Sequence, residues 1–245
     1  MKNVVVVGAA GKMGRAVQDA ARARADLTIT GTVDQGDAVA AALAGCDVYI
    51  DFSTPASTLA AAQAAIAAKK AAIVGTTGLT ADVDGVLGEL ARVAPIVVAA
   101  NFSLGVNLML GLVRQAARAL GPDWDAEVVE THHKAKRDAP SGTALAIAKA
   151  IAAGHGSDYD AVKRHARDGE VGARPRGEIG VATVRGGDVV GEHVAYFFGQ
   201  AERLEIAHRA TSRGIFATGA LVAAAWIVGK PPGRYTMLDV LGLPS

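Results

Sequence analysis

Through its first hundred residues the chain alternates short β-branched runs with alanine-rich stretches. Val4 to Val7, Leu27 to Val33, Val48 to Asp51, Ala71 to Gly75 and Ile96 to Ala99 read as strands. Between them, Lys12 to Arg24, Ala56 to Lys69 and Ala81 to Arg92 have helical length and consist largely of good helix formers. Such alternation predicts right-handed βαβ units on a mainly parallel sheet. The valine run of the first strand has no polar alternation, as befits a strand covered on both faces.

From Asp125 the pattern changes. Asp125 to His132, Glu178 to Arg185, Asp188 to Phe198 and Arg203 to Arg209 are extended runs, and Arg185-Gly186-Gly187-Asp188 reads as a two-residue hairpin turn. One clear helix, Gly142 to Ala153, interrupts them. The predicted fold class is α/β, a Rossmann-type parallel-sheet domain plus an α+β domain with a mixed or antiparallel sheet. Gly154 to Gly177 is polar with little periodicity, a long loop that is either mobile or functional. The helical pattern returns at Phe216 to Val228, before a Pro-Pro-Gly break and the short segment Met237 to Leu241.

Composition narrows the function classes. With 51% hydrophobic and 20% charged residues the chain is globular and can bury a core. Lys and Arg number 25 against 24 Asp and Glu, a net charge of +1, so nothing draws the whole chain to nucleic acid or an anionic membrane. Any positive patch must be local. The single cysteine, Cys46, excludes an intrachain disulfide and a cysteine-based zinc site; it reads as a small buried residue in a reducing compartment, and no metal site is expected. The four valines after the N-terminus are too short for a signal peptide, and the run Ala220 to Val228 falls short of the roughly 20 residues that cross a bilayer. A cytoplasmic protein is expected.

Gly8, Gly11 and Gly14 in VVVVGAAGKMGR follow a strand and open a helix. Glycines there let the backbone turn tightly and approach a pyrophosphate at the helix N-terminus. The next strand ends at Asp34, where an acid can accept hydrogen bonds from the adenine ribose hydroxyls. Gly75-Thr76-Thr77-Gly78 and Ala99-Ala100-Asn101-Phe102-Ser103 also lie at strand ends, and their polar groups suit a nicotinamide ring and its carboxamide.

The stretch ETHHKAKRDAPSGTA crowds His132, His133, Lys134, Lys136 and Arg137 together before a helix that begins near Gly142. The amides of Gly142 and Thr143 at that helix N-terminus favour an anion, and the neighbouring cations make the loop a receptor for carboxylates or phosphates. Crowded cations also depress one another's pKa, which brings a histidine or lysine toward acid/base work near neutral pH. No aromatic side chains interleave with them, which argues against a nucleic-acid patch.

The segments GAAGKMGR, DFSTPAS, VGTTG, AANFSLGVN, ETHHKAKRDAPSGTA, RGEIGVATVRGGDVVGEH and HRATSRGIFATGAL, in this order from Val4 to about Leu241, resemble the dihydrodipicolinate reductase (4-hydroxy-tetrahydrodipicolinate reductase) family. The resemblance implies an NAD(P)H-dependent reduction of 4-hydroxy-tetrahydrodipicolinate, with loss of water, in lysine and diaminopimelate biosynthesis. It casts His132 as general acid/base, Lys136 as proton donor, and His133, Gly142, Thr143 and, more weakly, Arg213 as holders of the dicarboxylate substrate. The cofactor contacts it implies are Gly8, Ala9, Ala10, Gly11, Lys12, Met13, Asp34, Gln35, Gly75, Thr76, Thr77, Ala99, Ala100, Asn101 and Phe102. It further implies a homotetramer assembled through the second domain's sheets. Residues 1–103 with 214–245 would form the dinucleotide domain and residues 104–213 the substrate and tetramerisation domain, with hinges at Ser103 to Gly105 and Ser212 to Gly214. Lys134 and Arg137 are expected to be solvated neighbours.

One position departs from the family pattern. Gln35 stands where members that favour NADPH often carry an arginine, and Asp34 would repel a 2′-phosphate, so NADH is the expected preference, with NADPH open to rescue by Lys12 or Arg15. Two other readings stay open: another two-domain dehydrogenase acting on an imino or keto acid, and a dinucleotide sensor without catalysis. The sensor has no need of His132 and Lys136.

Overall fold

The computed structural model describes residues 1–243. In chain order the elements are β1 (Lys2–Val7), α1 (Lys12–Ala21), β2 (Leu27–Val33), α2 (Val39–Leu43), β3 (Val48–Asp51), α3 (Pro55–Ala68), β4 (Ala71–Val74), α4 (Ala81–Val93), β5 (Pro95–Val98) and α5 (Leu104–Leu120). They continue with β6 (Asp125–His132), α6 (Gly142–His155), α7 (Tyr159–Val162), β7 (Lys163–Arg164), β8 (Ile179–Arg185), β9 (Gly191–Phe198), β10 (Arg203–Ala210), α8 (Gly214–Ile227), β11 (Gly233–Tyr235) and α9 (Met237–Leu241). The chain divides into two compact units, one holding residues 1–104 and 214–243, the other Gly105–Arg213.

The first unit is built on six parallel strands in the order β11-β5-β4-β3-β1-β2. Successive valines of β1 face opposite ways. Val4 and Val6 join a core with α1 and α8, whereas Val5 and Val7 join one with α2, α3 and α4. Both faces being covered, every position of the run is apolar, and each enclosed valine contributes about 1.5–3 kcal/mol. The strand order reverses between β1 and β3, and in sheets of this kind the crevice at the carboxyl ends beside the reversal is where ligands bind. Gly219 lets α8 come close, since a Cβ on it would stand 1.7 Å from the Phe102 carbonyl oxygen. At the head of α3, Thr54 accepts from the Ser57 amide and Pro55 occupies the first turn, a well-capped start.

The second unit is a mixed sheet in the order β10-β9-β6-β8-β7, with β6, β8 and β7 parallel and β9 antiparallel to both β6 and β10. Helices α5 and α6 cover one face, with Ile147 and Ile151 of α6 packed on Val128, Val181 and Phe197. Along β6 the buried positions are Ala126, Val128, Glu130 and His132. The helix-facing side of this strand is thus apolar for its first half and ionisable for its second.

The hairpin expected at Arg185-Gly186-Gly187-Asp188 is not formed. β8 and β9 lie on opposite sides of β6, so the chain crosses the end of β6 between them. Gly186 N–H donates to the His132 carbonyl (3.0 Å), His133 N–H to Val189 (2.8 Å) and Lys134 N–H to Gly187 (3.2 Å). The glycine pair supplies turn chemistry, but turn chemistry does not say which edge the next strand joins. The polar stretch from Gly154 to Gly177 also carries structure: it contains α7 and the two-residue β7, and its arginines bind acids in β6 or just before β8. Arg164 pairs with Glu178 (3.0 Å), Arg167 with Glu127 (2.8 Å) and Arg174 with Asp125 (3.1 Å). Helix α5, whose buried face repeats at Val106, Met109, Val113 and Ala117, adds an element that the sequence reading does not name, as do the short α2 and β11. Among the described residues no helix is long and apolar enough to cross a membrane.

Candidate active site

In the first unit the glycine loop, Asp34 and the loops after β3, β4 and β5 gather at the carboxyl ends of the strands. Gly8 N–H donates to Val33 (2.8 Å), Phe52 N–H to Val7 (3.2 Å), Gly75 N–H to Asp51 (2.8 Å) and Ala99 N–H to Val74 (3.1 Å), each tying one loop to the neighbouring strand. Gly8 adopts a φ of +76°, and a Cβ there would lie 2.7 Å from the Phe52 carbonyl oxygen. A Cβ on Gly14 would fall 2.2 Å from the Gly8 carbonyl oxygen. No side chain caps α1 at Gly11, and its first turn holds no acid. An uncapped N-terminus beneath a close-packed glycine turn fits a dinucleotide's pyrophosphate. The carboxylate of Asp34 accepts the Ala10 amide (3.0 and 3.1 Å), which sets the acid beside the same loop.

Gln35, Lys12, Ala10, Thr77 and Ala100 are exposed along this edge, while Gly8, Met13, Ala99 and Asn101 are half-buried. Ala9, Gly75, Thr76 and Phe102 are buried. The Phe102 ring packs edge-on against Phe52 at 5.7 Å, so it belongs to the core and not to a ligand-facing surface. Sequence reasoning assigned no role to Asp51, which is fully enclosed. Its carboxylate accepts from the Ser53 amide (3.0 Å), Thr58 Oγ1 (2.6 Å) and Thr76 Oγ1 (3.2 Å). Burial raises the Asp51 pKa against these donors. The acid thereby ties the β3 end, α3 and the Thr76 loop to one point.

In the second unit the ionisable end of β6 meets the N-terminus of α6. Glu130 is 0% exposed. Its Oε2 faces His132 Nδ1 and accepts Arg185 Nη1 (2.9 Å); its Oε1 accepts Arg185 Nη2 (2.9 Å), the Ser141 amide (3.0 Å) and Thr183 Oγ1 (3.3 Å). Burial pushes the Glu130 carboxyl up, but Arg185, His132 and the Ser141 amide hold it below its ordinary value, so it is ionised. An ionised carboxylate only accepts, so His132 carries its proton on Nδ1 and presents Nε2 as the basic nitrogen. For His132, burial lowers the pKa first, Glu130 raises it, and the positive charges of Lys136 and Arg185 lower it again; the net direction is down. Burial is the largest of these effects, and with the two cations it outweighs the carboxylate.

Lys136 Nζ pairs with Asp138 Oδ1 at 2.9 Å, and Arg185 Nη2 donates to the Asp138 carbonyl at 2.6 Å. Ser141 Oγ accepts the Ala144 amide (3.1 Å) as the cap of α6 and lies 3.1 Å from His193 Nε2. His193 meets His132 edge-on at 5.2 Å, and burial, together with the nearby His132, lowers its pKa to about 4. Gly142 is exposed at the head of α6, and a Cβ on it would meet nothing within 4 Å. Gly191 is the opposite case, since a Cβ there would stand 2.9 Å from His132 Nε2.

His132, Lys136, Gly142 and Thr143 are therefore assembled in one corner of this unit, and His133 joins them through its carbonyl, which accepts the Lys136 amide (3.1 Å). Arg213 is exposed beyond the end of β10. Glu130, Arg185, His193 and Gly191 are the members that the sequence reading missed. Glu130 had a signal: with period two, Ala126, Val128, Glu130 and His132 share the buried face of a strand, so an acid two residues before the histidine faces the same way. Arg185 and His193 had none, because their proximity depends on the register of β6 with β8 and β9.

Comparison with known proteins covers the whole chain. Residues 2–102 match the family model described as dihydrodipicolinate reductase, N-terminus, and residues 105–241 match that described as dihydrodipicolinate reductase, C-terminus. A 4-hydroxy-tetrahydrodipicolinate reductase of Anaeromyxobacter dehalogenans is 46% identical, over 99% of this chain and 98% of the relative. The protein of the same name from Geobacter metallireducens is 42% identical, over 99% of this chain and 100% of the relative. A solved structure of a dipicolinate-bound dihydrodipicolinate reductase from Paenisporosarcina sp. TG-14 shares the fold, with a TM-score of 0.79 at 23% identity over 98% of each chain. Matched at both halves and along its full length, the chain belongs to the dihydrodipicolinate reductase family.

Proposed function

We propose that this chain reduces 4-hydroxy-tetrahydrodipicolinate to tetrahydrodipicolinate, with loss of water, in lysine and diaminopimelate biosynthesis. The observation that carries the mechanism is the convergence, within the second unit, of the Glu130–His132 pair, Lys136 and the N-terminus of α6. It sets a proton-handling group beside a receptor for carboxylates. The first unit is the dinucleotide domain and the second the substrate domain.

A nicotinamide dinucleotide, held by the glycine loop and Asp34, would supply the hydride. The residues of the chain do the rest. The first-turn amides of α6 at Gly142 and Thr143, with His133, hold the ring carboxylates of the substrate, and Arg213 adds a further positive charge. As negative charge develops on the conjugated ring system, Lys136 donates the proton that quenches it, and His132, the acid/base partner, takes up and passes on protons at its basic Nε2. Glu130 keeps the reactive nitrogen of His132 outward, and Lys136 exchanges its partner Asp138 for the reacting molecule.

NADH is the preferred dinucleotide on this reading, because Asp34 beside the glycine loop opposes a 2′-phosphate and Gln35 offers no charge to hold one. The assembly is a homotetramer joined through the second unit's sheet, whose residues Val184, Phe198 and Leu204 are large, apolar and exposed. Light scattering on the eluting protein gives the mass that tests it. The function itself is tested by following NADH oxidation on addition of the freshly generated condensation product of the preceding synthase. Turnover of that product is expected. Its absence, alongside turnover of another imino or keto acid, would reassign the enzyme; binding of NADH without turnover of any acid would make the chain a sensor. A kcat/KM for NADPH equal to or above that for NADH would refute the cofactor preference.

A further inference from the structure

We infer that Glu130 is a positioning residue that serves both parts of the second unit's site at once: one carboxylate oxygen orients His132, and the other holds the N-terminus of α6 beside it. The inference rests on the proposed function, in that it names what organises the same site.

A fully buried carboxylate needs a reason. Replacing a buried ion pair by apolar residues is often neutral or stabilising, so the Glu130–Arg185 pair is poor evidence for a stability role. The surroundings of Glu130 instead divide its two oxygens between two tasks. Oε2 meets the Nδ1 nitrogen of His132, two residues along the same strand face. Oε1 accepts the amide of Ser141, the residue that caps α6 through the Ala144 amide. Arg185, opposite His132 in the parallel register of β6 and β8, braces both oxygens, and Thr183 supports Oε1. A shift of the carboxylate would thus move the imidazole and the head of the helix together. The other charged or titratable groups facing this cluster are Lys136 and Asp138 from the loop, His193 from β9, and His208 from β10 behind His193.

The conservative variant Glu130→Gln separates the tasks. Its amide oxygen can still accept from Ser141 and Thr183, but its NH2 group donates toward His132 Nδ1, which forces the imidazole proton to Nε2. The expected result is a fall in kcat of about 100-fold or more, with substrate KM changed by less than about threefold, because the helix head stays in place while the acid/base group presents the wrong tautomer. Nitrogen NMR of the folded protein, labelled at the histidine ring and without substrate, reads the tautomer directly. The parent should show the proton of His132 on Nδ1 and the variant should show it on Nε2.

A second variant guards against misfolding. Arg185→Gln leaves the Glu130–His132 pair in place but removes a positive charge that lowers the pKa of His132. The His132 titration followed by NMR, and the matching limb of the kcat/KM profile, should then move to higher pH. An unchanged tautomer in folded Glu130→Gln, or an unmoved His132 titration in Arg185→Gln, overturns the inference whatever the enzyme reduces. The expected NMR changes without turnover of the proposed substrate would overturn the proposed function and leave this inference standing.

Discussion

Replacing Gly191 by alanine tests whether the space in front of His132 is what the site requires. Gly191 opens β9 with a φ that is not positive, so its backbone does not itself demand glycine. The added methyl would stand 2.9 Å from His132 Nε2 and 3.3 Å from Cδ2, where ordinary contact begins at 3.4 Å. The imidazole must therefore withdraw by about 0.5 Å. It cannot do so freely, because Nδ1 faces Glu130 and Glu130 is held by Arg185 and the Ser141 amide. Overpacking costs about 1–3 kcal/mol, and the stiffer unfolded chain returns about 0.4–1 kcal/mol, so a net loss of roughly 1–2 kcal/mol leaves the protein folded. A displacement of 1 Å at a reacting group can cost about 100-fold, so half of that should lower kcat by about tenfold or more. The assay is steady-state NADH oxidation at saturating substrate, beside a thermal melt and a fluorescence titration of NADH binding. Binding of NADH should stay within about twofold of the parent. A folded variant with kcat within twofold of the parent would show that Nε2 is not the working nitrogen. Gly142→Ala is the matched control: its methyl meets nothing in the chain, so the melt should hold while substrate KM rises because a docked carboxylate would meet it.

Three further outcomes follow from the same geometry. Lys136→Ala should lower kcat by about 10²–10⁴-fold while NADH affinity, measured by fluorescence titration, stays nearly intact; lost NADH binding would show the lysine to be misassigned. Gly14→Ala puts a methyl 2.2 Å from the Gly8 carbonyl oxygen and 2.6 Å from Ala9 Cα, both backbone atoms, so melting temperature and NADH affinity should fall together. His193, held neutral with its pKa lowered from 6.5 to about 4, refuses a proton that the unfolded chain accepts. Stability should therefore fall as pH drops from about 6.5 toward 4, by up to about 3 kcal/mol from this group. Urea unfolding at pH 7 and pH 4.5 should show a smaller acid loss for His193→Gln than for the parent, and equal losses would refute the assignment.

The parallel sheet was readable because its strands announce themselves twice, by all-apolar runs such as Val4 to Val7 and by the helices between them. The glycine loop was readable for the same reason, since strand, glycines and helix are neighbours in sequence. In the second unit local signals went less far. ETHHKAKRDAPSGTA displays His132, Lys136 and the helix start at Ser141 in one stretch, but Thr183, Arg185 and His193 reach Glu130 and Ser141 across 52 to 55 residues. That proximity is decided by strand register, which no short segment encodes. The hairpin between β8 and β9 failed for a related reason, as Gly186-Gly187 is compatible with a tight turn and with a crossing alike. Asp51 stood in plain view in DFSTPAS, yet its role becomes meaningful only when the hydroxyls of Thr58 and Thr76 are seen to surround it.

The crossing between β8 and β9 also bears on how the enzyme can be re-engineered. Surface connections usually accept extra residues at little thermodynamic cost, since closure entropy grows slowly with length. Residues 186–189 would not behave as such a connection, because their backbone supplies both donor and acceptor to the stretch from His132 to Lys134. Lengthening this segment would release the chain that carries His132 and leads to Lys136 without touching either side chain. Substitution at Asp188, by contrast, leaves those backbone bonds in place, which makes side-chain identity here far freer than length.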